Sequence, residues 1–86
     1  MHEFSLMKNL LKKIESLALQ HQATKVVRVK VRLGALGHIS KEHFQEHFVH
    51  GTQGTIAQDA KLEVILETDT ESPHAQEILL EDIDVQ

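Results

Sequence analysis

Cysteine is absent from this 86-residue sequence. That excludes a disulfide framework, a thiolate nucleophile, an iron–sulfur cluster and a Cys-based zinc site, so any transition metal must be held through nitrogen or oxygen. Tryptophan and tyrosine are absent too, and aromatics amount to 3% of the chain, too few for a base-stacking platform. Positive charge is scarce: Lys+Arg 9 against Asp+Glu 13 leaves a net charge of -4, the wrong sign for a phosphate-backbone footprint. Nucleic acid is therefore not an expected partner. No apolar run approaches the roughly 18 residues that cross a bilayer, so no membrane contact is expected. The opening residues carry Glu3 and lack the basic patch and apolar stretch of a secretion signal, so the expected compartment is the cytoplasm. The length is that of one domain spanning residues 1–86.

What the chain does have is periodicity. Ser5 reads as an N-cap, and Met7, Leu10, Leu11, Ile14, Leu17, Ala18 and His21 share one helical face, which predicts a helix from about Leu6 to His21. Lys25 to Leu33 alternates strictly, with Val27, Val29, Val31 and Leu33 on one side and Arg28, Lys30 and Arg32 on the other, which predicts a strand with one buried face. Ser40 caps a second helix, with Ile39 and Phe44 at staple positions, running to about His50 with Gly51 as a left-handed terminator. Thr52 to Ala60 reads as a loop, and Leu62, Val64 and Leu66 mark a second strand. Thr68 to Pro73 reads as a turn. Ile78 and Leu80 then lie on one parity and Ile83 and Val85 on the other, which predicts a third strand bulged near Glu81 and Asp82. The fold class expected is α+β, with two helices covering one face of a three-stranded sheet. The basic row on the first strand should find partners among Glu63, Glu67, Glu77, Glu81, Asp82 and Asp84.

Seven histidines are more than a small core requires, and they carry the chemistry. His2 can chelate together with the α-amine of Met1. The amine and the His2 amide nitrogen close a five-membered ring, and that amide with imidazole Nδ1 closes a six-membered one. The resulting planar set of three nitrogens suits nickel(II) or copper(II) better than tetrahedral zinc. His43, His47 and His50 follow i, i+4, i+7 spacing on the second helix, with Glu46 beside them, and are second-site metal candidates. The plain alternative is a polar, exposed helix face with His47 partly buried beside the phenylalanines. No His-Glu-x-x-His, phosphate loop, Ser/His/Asp order or paired buried carboxylates can be placed, so no enzyme is expected.

Met1-His2-Glu3-Phe4-Ser5-Leu6 before an amphipathic helix, Val29-Lys30-Val31-Arg32-Leu33-Gly34-Ala35-Leu36, and Gly54-Thr55-Ile56-Ala57 before Leu62-Glu63-Val64 together resemble the HypA/HybF family of hydrogenase nickel-incorporation proteins. The resemblance implies a nickel metallochaperone that holds Ni(II) at Met1, His2 and Glu3 and delivers it to a [NiFe]-hydrogenase precursor, or for some members to urease. It implies as partners a maturation GTPase and the hydrogenase large-subunit precursor, with the chain a monomer or weak homodimer. It also implies two sources for a fourth nickel donor: the Glu3 backbone nitrogen, or a histidine near the base of a zinc lobe, for which His74 and His38 are the candidates. The family's zinc-binding lobe, with its two Cys-x-x-Cys pairs between the second and third strands, is missing from these residues. Only the turn 68–73 stands there, so no structural zinc is expected and a hairpin should close the core. The rival readings are an adaptor of the hydrogenase maturation machinery that binds no metal and a histidine-rich surface buffer for metal ions.

Overall fold

A computed structural model of the chain describes residues 2–36 and 39–86, with the backbone alone for residues 2–5. The elements follow the expected order: α1 (His2–Gln20), β1 (Val26–Leu33), α2 (Lys41–Gly51), β2 (Lys61–Leu66) and β3 (Ile78–Val85). α1 begins a turn earlier than the Ser5 cap predicts. A serine cap stabilises a helix by only about 1 kcal/mol, and nothing upstream of Ser5 is a glycine or proline that would stop it. Met7, Leu10, Ile14 and Ala18 form the buried stripe of α1. The helix ends in a Schellman motif: the Ala23 N–H donates to the Ala18 carbonyl at 2.9 Å and the Gln22 N–H to Leu19 at 3.0 Å. Gln22 takes the left-handed position with φ 54.

Val29, Val31 and Leu33 are buried as the alternation predicts, but the buried residue before them is Val26, and Val27 is only half-buried. The β1–β3 register shifts between Val26 and Arg28, so Val27 is an extra residue that reverses the parity on its N-terminal side. A second shift lies between Lys30, opposite Asp82, and Val31, opposite Leu80. The skipped residue is Glu81, where the apolar pattern predicts a bulge, and it brings Leu80 and Ile83 onto the same inner face.

The sheet order is β2-β1-β3, with β1 parallel to β2 and antiparallel to β3. This corrects the expected hairpin: β2 and β3 lie on opposite edges, and residues 67–77 cross the end of β1 to join them. Charge explains the arrangement. A basic strand reaches carboxylates on both sides only from the centre, and Arg28 pairs with Glu63 on β2 at 2.8 Å and with Asp82 and Asp84 on β3 at 2.9 and 2.6 Å. Arg32 likewise pairs with Glu67 and Glu81. The crossing is fixed by backbone bonds, from the Gly34 N–H to the Glu77 carbonyl at 2.9 Å and from the Leu36 N–H to Ala75 at 2.7 Å.

Both helices pack against the inner face, where Phe44 and Phe48 of α2 join the stripe of α1 and the valines of β1, and Leu62, Val64, Leu80 and Ile83 pack around them. Ser40 caps α2 as expected, its hydroxyl accepting from the His43 N–H at 3.1 Å. Gly51, expected to be the left-handed terminator, is instead the last helical residue; Thr52 is the C-cap with φ -91, and among the described residues the glycine with positive φ is Gly54. Thr52 is buried, its hydroxyl donating to the Phe48 carbonyl at 2.8 Å.

Candidate metal centre

α1 starts at the same end of the molecule at which β1 finishes and the 67–77 segment crosses. Leu6, one turn into α1, shares an open surface hollow of about 450 Å³ with Leu36, Pro73, Ala75 and Glu77. The amide nitrogens of His2 and Glu3 belong to the first turn of a helix that begins at His2, where backbone N–H groups have no intrahelical acceptor. A metal that displaced the His2 amide proton would therefore break no bond of the helical ladder. Met1 and His38 lie outside the described residues, as do the side chains of His2 and Glu3.

His74 stands in the crossing segment. Its side chain is 57% exposed and its Nδ1 meets the Glu77 carboxylate, while its backbone N–H donates to the Ser72 hydroxyl at 3.1 Å. With Nδ1 carrying the shared proton, Nε2 keeps its lone pair for a metal, an arrangement common to metal-binding histidines backed by a carboxylate. Glu77 was grouped by sequence with the carboxylates facing the basic strand. Its i, i+3 spacing from His74 was the available signal for the pairing found.

On α2, His43, His47 and His50 are all exposed, so His47 is not partly buried beside the phenylalanines as the alternative had it. Phe44 and Phe48 turn inward at 0% and 1% exposure, which leaves the histidines on an exposed flank of the helix, with His47 and His50 beside Met7, Lys8 and Leu11 of α1. The His43 and His47 rings have centroids 6.4 Å apart, tilted by 58°. Among the described residues, no group of three histidine, aspartate or glutamate side chains stands close enough to hold one ion. No helix among them is long and apolar enough to cross a membrane.

Comparison with known proteins gives one consistent result. Residues 1–72 match the family model described as hydrogenase/urease nickel incorporation, metallochaperone, HypA. A hydrogenase maturation factor HypA from Archaeoglobus fulgidus is 39% identical over 67 residues, covering 78% of this chain and 61% of that protein. One from Nitrosospira multiformis is 33% identical over 64 residues, covering 74% of this chain and 56% of that protein. The chain thus spans little more than half the length of these curated relatives. The solution structure of the Ni metallochaperone HypA from Helicobacter pylori superposes with a TM-score of 0.79 at 20% identity, covering 96% of each chain, which establishes a shared fold.

Proposed function

The chain belongs to the HypA family of hydrogenase/urease nickel-incorporation metallochaperones, and from that premise we propose that it carries Ni(II) as cargo at its amino terminus. The donors are the Met1 α-amine, the His2 amide nitrogen and the His2 imidazole, three coplanar nitrogens that match the tetragonal preference of nickel(II). The observation that supports the reading is the start of α1 at His2, which leaves the first amides free of the ladder, with Leu6, one turn on, sharing a hollow with the crossing segment that bears His74. The Glu3 amide or His74 completes the set; His38 is the further candidate.

The chemistry is ligand exchange, with no bond of a substrate made or broken. A terminus suits it, since few protein donors hold the ion and an acceptor displaces them one at a time. The acceptor is a [NiFe]-hydrogenase large-subunit precursor or a urease, reached with the help of a maturation GTPase, and the setting is the cytoplasm. Because the thiolates of the family's zinc lobe are missing here, contacts that depend on that lobe are not assigned to this chain.

Calorimetric nickel titration of three proteins tests the ligand set. His2→Ala should abolish the tight site, and His74→Ala should weaken it without abolishing it if Nε2 is a donor. Unchanged affinity in His2→Ala would overturn the terminal site.

A further inference from the structure

We propose that His43 and His47 form a second chelate, made of two imidazoles, for a borderline divalent cation such as nickel(II), copper(II) or zinc(II). The site lies on the exposed face of α2 and owes nothing to the terminal donors. Residues i and i+4 project side by side from a helix, and paired histidines at this spacing are a recurrent metal-binding arrangement. The two rings stand 6.4 Å apart and both are exposed. Two imidazoles held in neighbouring positions on one ion, with metal–nitrogen bonds of about 2.0–2.1 Å, place their ring centres about 5 Å apart. The pair has to close by about 1.5 Å, which a side-chain rotation supplies.

The helix beneath is held firmly enough to make the pair a standing feature. Phe44 and Phe48, buried at 0% and 1% exposure, fix its rotation about its axis. The Ser40 hydroxyl holds the turn that carries His43, and Thr52 closes the other end on the Phe48 carbonyl. A site on such an element has little disorder to lose when the ion arrives.

Ring placement selects this pair over the other the helix offers, since His43 and His47 are the histidines whose rings stand together among the described residues. His47 and His50 share a surface hollow with Lys8 of α1, whose ammonium opposes a bound cation. Glu42 and Glu46 line a flank of the helix shared by His47 and His50, and Glu46 also lies three residues on from His43. No third side chain among the described residues closes around the pair. Water or a donor from another molecule therefore fills the remaining positions, and the ion is held loosely and exchanges readily.

The test uses the 86-residue chain carrying His2→Ala, which lacks the proposed terminal site, so the two proposals fail separately. Nickel chloride is titrated while the histidine imidazole NMR signals are followed, with circular dichroism confirming the fold. Affinity should drop at least about tenfold in His43→Gln and in His47→Gln, the expected loss when a two-point attachment becomes one-point, and should be unchanged in His50→Gln. Equal affinity in His43→Gln and the parent overturns the proposal. So does a drop in His50→Gln with none in His43→Gln, which would place the ion on the other pair.

Discussion

A Cβ added to Gly34 would stand 2.2 Å from the carbonyl oxygen of Ala75, so the end of β1 and the crossing segment meet with no room for a side chain. The obstacle is backbone, and it is the backbone that the Leu36 N–H binds. Gly34→Ala should therefore lower stability by about 1–3 kcal/mol, the usual range for overpacking. Gly51 is the contrast: its added Cβ would meet only the Leu11 Cδ1, at 2.8 Å, and a leucine tip can turn aside. There the gain in helix propensity, up to about 1 kcal/mol, offsets the crowding, and Gly51→Ala should be close to neutral. Urea unfolding of the two variants decides it, and a wild-type midpoint for Gly34→Ala would mean that the crossing segment yields.

Phe48 and its neighbour His47 should behave oppositely. Phe48→Ala empties a fully buried site and should cost about 3–5 kcal/mol, a large share of the stability of a domain this small. His47→Ala changes an exposed surface and should stay within about 0.5 kcal/mol. Comparable losses in both would mean that the histidine face is covered in the folded protein.

Acid stability should depend on Asp84. The hydrogen bond from Arg28 holds the Asp84 carboxyl below its ordinary value of 3.8. A carboxylate with a depressed folded-state pKa contributes its stabilisation in full above the unfolded value and loses it as pH falls through the lowered one. Asp84→Asn should thus be less stable at neutral pH, with a difference from the parent that shrinks as pH falls through and below the carboxylate range and is smaller at high salt. A difference that stayed constant with pH would remove the ion pair from the account.

Chelators should leave the fold alone. With no thiolate in the chain and a core built from Leu10, Ile14, Val29, Val31, Phe44 and Phe48, the expected outcome is folding without metal. The melting temperature of nickel-free protein should be the same with and without EDTA, and a large fall would reveal a structural metal.

Nickel affinity should fall from pH 8 to pH 5.5 while circular dichroism stays constant. Protons compete for an α-amine, ordinarily near about 7.7–8.0, for an imidazole, ordinarily near about 6.5, and for a deprotonated amide. Affinity flat across that range would favour carboxylate donors such as Glu3 or Glu46.

The elements were legible because their signals are local. The stripe of α1, the Ser40 cap and the parity change in β3 that marks the Glu81 bulge each follow from a few neighbouring residues. The Val27 bulge was hidden, since Val26 and Val27 are identical in type and either could take the inner place. Strand order depends on pairing across the chain: the acidic residues of β2 and β3 hinted at a central β1, yet only the crossing at Gly34 settles it. At the candidate site the spacing of His43 and His47 was readable and the i, i+3 spacing of Glu77 from His74 was available, whereas the nearness of Leu6 to Pro73 and Ala75 comes from tertiary packing.

The central claim is that the chain's own amine helps to hold nickel, and the most direct measurement compares nickel binding by protein beginning at Met1 with protein carrying two extra residues ahead of it. The extension keeps His2 and every other side chain but moves the amine out of the fused rings. About one tight nickel per chain in the first protein and loss of that site in the second is the predicted result. Equal affinity in the two would contradict it.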